Sequence, residues 1–304
     1  MGTRGARLRT LLFVPGDRPD RIAKAYASGA DGVAVDLEDA VASSAKAKAR
    51  ELTAASVREH GERRCIATVR INALDTGLAQ DDLDALAPAL PELDAVLLPK
   101  ASPDHVRDLG ERLGSLEEAA GVEPGRLAIL PIIETAAGVL SAAAVAAAAN
   151  ERVHTLLFGP ADLADELGLT LTVEGTELLH ARSQVVLAAA AAGRAGPLDG
   201  PHFALDDSDG LSRSAALARR LGFAGKTVLH PRQLEAVHAA FAPTASDLAW
   251  AREVDQAFRE AEAAGMSSIR IADGSFVDYP IARRARALLA EAGAQESGDR
   301  GAHG

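Results

Sequence analysis

Residues 127–136 read LAILPIIETA, a run of branched apolar residues that ends abruptly in the carboxylate Glu134. Such a run predicts a parallel β-strand buried on both faces, and the alanine-rich residues from Thr135 onward predict a helix. In α/β folds, functional side chains collect at the carboxyl ends of the strands. The stretch therefore predicts an α/β fold with Glu134 at its functional edge. The alternative is that Glu134 is only an acidic residue favoured by the dipole of the next helix.

Strand-like runs of this kind alternate with helical segments along the chain. The runs occupy residues 8–15, 32–39, 65–72, 95–100, 127–134, 153–160, 197–203 and 225–231. The helical segments between them occupy residues 19–29, 43–60, 81–90, 103–120, 136–150, 175–192 and 211–221. Repeated strand–helix alternation predicts a (β/α)₈ TIM barrel over residues 1–240. A doubly wound open sheet is the alternative, although no GxGxxG turn follows any of the strands.

Residues 241–293 continue beyond the predicted barrel as a C-terminal extension. Their pattern predicts a long charged helix over 246–264, a hairpin that turns at Asp273 and Gly274, and a helix over 280–292. A closed barrel has no free edge, so we expect the extension to pack outside it, on a neighbouring subunit. Residues 294–304 are polar and glycine-rich, which predicts a disordered tail.

Composition excludes several classes of protein. The 304 residues are 48% hydrophobic, which allows a large core, and the formal net charge of −11 argues against a nucleic-acid surface. The net charge does not exclude a local basic pocket for an anionic ligand. The single cysteine, Cys65, cannot form an internal disulfide, and no apolar run approaches the roughly 18 residues of a membrane span. We expect a cytoplasmic protein without a signal peptide or a membrane partner.

Charged or ionisable side chains stand at the carboxyl ends of nearly all the predicted strands, whereas the opposite ends begin with small or apolar residues. Barrel enzymes build their active sites at the carboxyl ends, so this asymmetry predicts a catalytic rim. The residues concerned are Asp17, Arg18, Asp36, Glu38, Asp39, Arg70, Lys100, Glu134, Asp162, Asp199, His202 and His230, and the polar Asn72 accompanies Arg70.

Glu134 and Asp162 follow adjacent strands and are the candidate metal ligands. Two neighbouring carboxylates suit one hard divalent cation, and Mg²⁺ fits them best. The eight histidines form no HxH or HExxH pattern, so a zinc site has no support in the sequence. The alternative is that Asp162 only caps a helix that starts near Leu163.

Arg70 closes a buried strand and needs an anion, because an unpaired buried charge is costly. One interpretation is a structural ion pair with Asp36, Glu38 and Asp39; the other is substrate binding, and both can hold together. The acidic residues could also position water or brace the metal site.

Arg18, Arg21 and Lys24 recur at helical spacing after the first strand. In an acidic protein this cationic face is a candidate phosphate grip, with an ordinary solvated helix face as the alternative. His230 precedes Pro231, where a lone histidine is more often structural than catalytic.

Motifs across most of the chain resemble the citrate lyase β-subunit-like proteins of the HpcH/HpaI aldolase group. They are LLFVPGDRPDRIAKA (11–25), VDLEDAV (35–41), VRIN (69–72), LLPK (97–100), IIETA (132–136), FGPADLADELG (158–168), LGFAGKTVLHPRQ (221–233) and GSFVDYP (274–280). The resemblance implies a carbon–carbon lyase that cleaves or forms a 3-hydroxy-3-carboxyacyl thioester. Malyl-CoA and citramalyl-CoA are examples, and their cleavage gives acetyl-CoA with glyoxylate or pyruvate.

The resemblance also assigns roles to single residues. Glu134 and Asp162 match Mg²⁺ ligands, and Arg70 matches a substrate-binding arginine. Glu38 and Asp39 are expected to assist catalysis. Backbone amides near Gly159, Pro160 and Ala161 are expected to hold the substrate together with Arg70 and Glu134.

A further set of residues is implied for the CoA part and for the assembly. The residues expected at the CoA site are Phe13, Arg18, Lys24, Leu229 and His230. Asp278 matches a catalytic aspartate that reaches the site from a neighbouring subunit, which implies a homotrimer or hexamer. The segment DGPHFALDD (199–207) departs from the relatives at Pro201 and His202, so the acyl group stays undetermined.

Three alternatives keep parts of this interpretation. A malyl-CoA thioesterase would use the same metal and Arg70 to hydrolyse the thioester. A pyruvate aldolase would act on free aldehydes without CoA. A citryl-thioester lyase subunit would work on a carrier-bound acyl group, and only inside a citrate lyase complex.

Overall fold

Eight parallel strands form a closed barrel in the order in which they occur along the chain. The computed structural model describes residues 8–60, 65–172 and 174–301. The strands are β1 (Thr10–Pro15), β2 (Gly32–Asp36), β3 (Ile66–Arg70), β4 (Ala95–Leu98), β5 (Ala128–Ile133), β6 (Leu157–Phe158), β7 (Leu198–Asp199) and β8 (Gly225–Val228). Pairing of β1 with both β2 and β8 closes the barrel and confirms the predicted (β/α)₈ fold.

Alternation along the strands divides the apolar residues into two sets. One set, with Leu11, Leu97 and Leu130, clusters in the interior of the barrel. The other set, with Val35, Val96 and others, packs against the surrounding helices in the large outer core. Both faces of the strands are therefore covered, which explains their continuous apolar runs.

The helices of the barrel region run antiparallel to the strands they follow. They are α1 (Pro19–Tyr26), α2 (Lys46–Glu59), α3 (Ala79–Leu86), α4 (Pro103–Ala119), α5 (Ala136–Leu140), α6 (Ala142–Ala147), α7 (Pro160–Leu167), α8 (Leu179–Ala191), α9 (Ser208–Leu221) and α10 (Leu234–Phe241). Capping chemistry fixes several starts: Ser102 accepts a hydrogen bond from the amide of His105, and Asp207 accepts one from the amide of Gly210.

The prediction of one continuous helix over 136–150 is wrong. The helix is broken into α5 and α6 at Ser141, whose hydroxyl donates to the carbonyl of Ala137 at 2.7 Å. A serine that bonds back to the preceding turn competes with the helical ladder and bends it. The alanine-rich composition concealed this break.

The chain divides after Phe241 into two compact units, Met1–Phe241 and Ala242–Gly304, close to the boundary predicted from the sequence. The second unit contains α11 (Ala245–Ala263), the antiparallel strands β9 (Ser268–Arg270) and β10 (Phe276–Asp278), and α12 (Tyr279–Gly301). Its core includes Val254, Phe258 and Val277.

Helix α12 continues to Gly301, into the segment 294–304 for which a disordered tail was predicted. Residues 302–304 lie outside the described residues. None of the helices in the described part of the chain combines the length and apolar character that a membrane span requires.

Candidate active site

Arg70, the last residue of β3, is held by a bidentate ion pair. Its Nε and Nη2 donate to the two carboxylate oxygens of Asp36 at 2.7 and 2.6 Å. Asp36 is itself oriented by the amides of Glu38 and Ala40. This network confirms the predicted ion pair and fixes the guanidinium plane at the barrel rim.

The remaining nitrogen of Arg70 faces further acidic groups. Nη1 lies 2.8 Å from Glu38 Oε2 and 3.7 Å from Asp39 Oδ2. The guanidinium also stacks over the ring of Phe13, 5.4 Å from its centroid. Burial lowers the pKa of Arg70, but the bond to Asp36 and the nearby carboxylates outweigh burial and raise this pKa above its usual value. Arg70 therefore carries a permanent positive charge with one side directed at the rim.

Lys100 connects the three carboxylates around the candidate metal site. Its backbone amide donates to Glu134 Oε1 at 2.8 Å, while its Nζ donates to Glu38 Oε1 at 2.9 Å and lies 3.5 Å from Asp162 Oδ1. Its φ of 47° is the only positive value of a non-glycine residue in the described part of the chain. Such left-handed backbone costs energy and concentrates at functional sites, so its presence here marks the site independently.

Glu134 is buried to 3% exposure directly after β5, whereas the Asp162 side chain remains 34% exposed. Burial raises the pKa of Glu134 to about 8, and the charges of Asp162 and Glu38 act in the same direction. Burial also raises the pKa of Glu38. Because these carboxylates repel one another, they favour a bound cation, which would take the place of the proton on Glu134.

Helix α7 places Asp162 at this site. The helix starts at Pro160 with Gly159 as its N-cap, so Asp162 lies inside the first turn. The alternative prediction, a cap for a helix starting near Leu163, is therefore wrong, because proline at the first position starts the helix earlier. A Cβ atom on Gly159 would lie 2.5 Å from Glu134, so only glycine lets α7 approach the carboxylate this closely.

A cavity of about 210 Å³ opens at the rim and collects most of the predicted site residues. The predicted residues that line it are Phe13, Asp39, Arg70, Glu134, Gly159, Pro160, Ala161, Asp162 and Leu229. Apolar and hydroxyl side chains complete the wall, among them Ile132, Phe203 and Thr227. Glu38 does not line the cavity but supports it through its bonds to Arg70 and Lys100.

The remaining predicted residues lie elsewhere. Arg18 and Lys24 are exposed on or beside α1, and Arg18 pairs with Asp20 at 3.3 Å. His230 accepts a hydrogen bond from the amide of Arg232 and caps a short 3₁₀ turn, in agreement with a structural role. Asp278 belongs to the second unit, where its carboxylate accepts a bond from the amide of Ile281.

Two aspects of the rim were missed at the sequence level. Lys100 was noted only as a charged strand end, and its left-handed backbone has no signature in LLPK. Asp199 was placed on the catalytic rim, but its buried carboxylate instead pairs with Arg182 and Lys226. Side chains alternate between the two faces of a strand, so one position of register separates a rim residue from an outer one.

The chain is similar to known proteins over most of its length. The model of the HpcH/HpaI aldolase/citrate lyase family matches residues 9–231. The chain is 34% identical over 285 residues to the citrate lyase subunit beta of Haemophilus influenzae, which covers 93% of this chain and 96% of that protein. It is 36% identical over 286 residues to a (3S)-malyl-CoA thioesterase of Cereibacter sphaeroides, at 93% and 94% coverage.

A solved structure is also similar. The crystal structure of CitE from Mycobacterium tuberculosis in complex with magnesium, acetoacetate and coenzyme A matches with a TM-score of 0.79 at 35% identity, covering 95% of this chain and 99% of that one. The chain therefore belongs to the HpcH/HpaI aldolase/citrate lyase family and is an enzyme of the carbon–carbon lyase class.

Proposed function

We propose that this enzyme is a Mg²⁺-dependent lyase that cleaves or forms a 3-hydroxy-3-carboxyacyl-CoA thioester such as malyl-CoA or citramalyl-CoA. The observation that carries the proposal is one cavity lined by Glu134, Asp162 and Arg70. It joins two hard anionic oxygen donors with one fixed cation, as a substrate with a carboxylate and a neighbouring hydroxyl requires.

The donor set fits Mg²⁺. In the described part of the chain there is no group of three or more histidine, cysteine, aspartate or glutamate side chains for a metal. Mg²⁺ is commonly bound by one or two carboxylates and completes its shell with water and substrate oxygens. Glu134 and Asp162 would hold it here. The ion would supply Lewis acidity toward the hydroxyl and carboxylate oxygens of the substrate. Solved CitE structures from M. tuberculosis contain magnesium with pyruvate or oxaloacetate, which supports this assignment.

Arg70 is suited to stabilise the enolate of the acetyl thioester. Cleavage leaves negative charge on the thioester oxygen, and a preoriented guanidinium lowers the energy of that charge without reorganising. Asp36 fixes the guanidinium from behind through two bonds, so the Nη1 edge, which faces Glu38 at the rim, is the one that a substrate oxygen would share. The amides near Gly159 and Ala161, at the start of α7, suit the carboxylate of the substrate.

Three further assignments rest on the family resemblance. Phe13, Arg18 and Lys24 would contact the CoA part, with Leu229 at the mouth of the cavity. Asp278 of a neighbouring subunit would protonate the carbanion, or remove the methyl proton in condensation. This assignment requires a homo-oligomer, and a trimer or hexamer is proposed.

A second candidate function is hydrolysis of the malyl thioester. The chain is similar to a (3S)-malyl-CoA thioesterase, which supports hydrolysis. The similarity to citrate lyase subunits is of comparable strength and supports cleavage. Activated water would then attack the thioester carbonyl in place of carbon–carbon cleavage. A citryl-thioester lyase subunit is the third candidate, with a carrier-bound substrate.

Product analysis separates these candidates. Malyl-CoA and citramalyl-CoA are incubated with the enzyme and Mg²⁺, and the products are identified by mass spectrometry. A lyase gives acetyl-CoA with glyoxylate or pyruvate, whereas a thioesterase gives free CoA with malate or citramalate. Inactivity of the isolated chain on all CoA thioesters would favour the carrier-dependent subunit.

Removal of the metal ligands tests the same proposal. Glu134→Gln and Asp162→Asn should each lower kcat by at least about a thousandfold while the fold persists, since the loss removes several kcal/mol of charge stabilisation. Asp165→Asn, on the exposed side of the same helix α7, is the matched control and should keep wild-type activity. Full turnover in excess EDTA would rule out the shared cation.

A further inference from the structure

A second and larger cavity, of about 610 Å³, lies beside β7, between α8 and α9. It shares Phe158, Pro160, Pro201 and Phe203 with the active-site cavity but extends to the other face of the strands. Leu198 belongs to the interior cluster and Thr227 lines the active-site cavity, whereas their neighbours Asp199 and Lys226 line the second cavity. We call it the outer cavity. The layer between barrel and helices is normally filled by apolar side chains, so a cavity there with charged groups needs a physical reason.

Three charged side chains form the floor of the outer cavity. Arg182 Nε donates to Asp199 Oδ1 at 2.9 Å, and Lys226 Nζ donates to Asp199 Oδ2 at 2.6 Å. The exposed fraction of the side chain is 7% for Arg182 and 1% for both Asp199 and Lys226. The floor is therefore a fully buried cluster, separate from the residues of the catalytic rim.

This cluster contains two cations and one carboxylate, which leaves one positive charge without a partner. Other buried pairs around the barrel, such as Arg152 with Glu117 and Arg50 with Asp82, join one cation to a carboxylate. An uncompensated buried charge costs several kcal/mol. Burial accordingly lowers the pKa of Lys226 although Asp199 opposes the change, and a second carboxylate beside Lys226 would favour the charged ammonium. The Lys226 ammonium also has three protons and one acceptor, Asp199, among the described residues.

The walls and mouth of the outer cavity suit a ligand with two different ends. Phe158, Leu178 and Leu217 line the walls, and the exposed Arg213 and Arg220 line the mouth from one face of α9. Neither arginine has an ion-pair partner among the described residues. Glu174 and Glu177 also line the cavity, so its four cations exceed its three carboxylates by one. In a chain of net charge −11, this local excess attracts anions.

We propose that the outer cavity binds an organic anion that carries one carboxylate on an apolar body. The carboxylate would reach Lys226 and neutralise the surplus charge of the floor. The apolar body would fill the space between α8 and α9, and the arginines of the mouth would steer the anion inward. The volume is within the range of small-molecule sites, roughly 300–1,000 Å³. Neither of the proposed metal ligands, Glu134 and Asp162, is among its lining residues.

Isothermal titration calorimetry with octanoate tests the proposal, with 1-octanol as the uncharged probe of the same chain length. Octanoate should bind wild-type enzyme, and octanol should bind at least about tenfold more weakly, because a charge-assisted hydrogen bond is lost. Lys226→Met leaves the balanced Arg182–Asp199 pair and a side chain of similar length. It should weaken octanoate binding by a similar factor. Lys48→Met, at an exposed position on α2, is the matched control and should bind octanoate normally.

Leu217→Trp provides a second test that does not disturb the charged floor. The larger side chain, on the cavity face of α9, should fill the space and abolish octanoate binding while malyl-CoA turnover persists. If Lys226→Met does not fold, Leu217→Trp alone tests whether octanoate binds in the outer cavity. The proposal is overturned if wild-type enzyme does not bind octanoate, or if it binds octanol and octanoate equally. Unchanged octanoate binding by folded Leu217→Trp would also overturn it.

Discussion

At the scale of single residues, the candidate site depends on the orientation of charges more than on their number. Arg70 is the clearest example, since Asp36 binds two of its nitrogens and the third, at the rim, pairs with Glu38. The sequence interpretation offered a structural ion pair and substrate binding as compatible roles. The geometry allows both, because the two roles use different edges of the guanidinium.

Lys100 gives the first prediction at this scale. Its ammonium lies among Glu38, Glu134 and Asp162, so it opposes the entry of a second cation. Lys100→Met should therefore tighten Mg²⁺ binding by about fivefold or more, roughly 1 kcal/mol, while turnover falls because Glu38 loses its partner. Calorimetric titration of Mg²⁺ measures the affinity, and Lys48→Met is the control. Weaker or unchanged Mg²⁺ binding would show that the ammonium does not oppose the metal.

At the scale of elements, the start of helix α7 sets the position of Asp162. Pro160 packs on Gly200, at the end of β7, so closely that a Cβ atom on this glycine would lie 2.1 Å from the proline ring. The same segment approaches Glu134 through Gly159. Two glycines thus fix the distance between a helix and two strand ends, and with it the spacing of the metal ligands.

Gly200→Ala tests this packing. The added methyl group would collide with Pro160 and with the carbonyl oxygen of Phe158, so α7 must shift. We expect the Mg²⁺ dissociation constant to rise by about tenfold and the free energy of unfolding to fall by ~1–3 kcal/mol. Gly114→Ala, where the new Cβ meets only ordinary contacts inside α4, is the matched control. Wild-type Mg²⁺ affinity in Gly200→Ala would mean that α7 position does not set the metal site.

Asp31 links three elements at the opposite end of the barrel. It precedes β2, pairs with Arg9 before β1 at 2.9 Å, and lies 3.6 Å from His238 of α10. Burial raises the pKa of Asp31, but the bonds from His238 and Arg9 outweigh burial and hold this pKa well below its usual value. The carboxylate therefore stabilises the junction at which β1 meets its neighbours.

The depressed pKa fixes the pH dependence of this contribution. It is complete above the unfolded-state pKa of about 3.9 and is lost as the pH falls toward the folded-state value. Asp31→Asn should lower the free energy of unfolding by about 2 kcal/mol at pH 6, and by less at pH 3. Urea unfolding at both pH values measures the difference, with the exposed Asp108→Asn as control. A constant difference between pH 6 and pH 3 would contradict the assignment.

At the scale of the whole molecule, the residues proposed for catalysis belong to two compact units. The proposed metal ligands and Arg70 lie in the barrel, while Asp278, the proposed proton donor, lies at the end of β10 in the second unit. The family resemblance implies that Asp278 comes from a neighbouring chain, and under this proposal catalysis would require the oligomer. The activity of mixed oligomers can test this directly.

Subunit mixing provides that test. Asp278→Ala and Glu134→Gln oligomers should each be inactive, because one lacks the proton donor and the other lacks a metal ligand. After dissociation and reassembly together, part of the turnover should return, since hybrid sites combine a sound barrel with a sound Asp278. About a quarter of wild-type activity is the upper range expected for random pairing of two chains. Well-mixed hybrids without activity, or an active monomer, would place Asp278 in its own barrel or outside catalysis.

The sequence by itself determined the strand order, the barrel class and the family. Those properties follow from local patterns, since a buried parallel strand and its helix leave periodic apolar runs and short capping signals. It also predicted Glu134, Asp162 and Arg70 at one rim, because all carboxyl ends of parallel strands meet there.

The tertiary structure alone decided which neighbouring side chains take part. The left-handed backbone of Lys100 and the outward direction of Asp199 are accompanied by contacts with residues far along the chain, Glu134 and Lys226. The break at Ser141 instead accompanies a local hydrogen bond to Ala137, which the alanine-rich pattern concealed. The sequence pattern of a charged residue at a strand end does not show whether its side chain faces the barrel rim or the helices. Only the register of the closed barrel separates the two, and it placed Glu134 beside Asp162 and Asp199 beside Lys226.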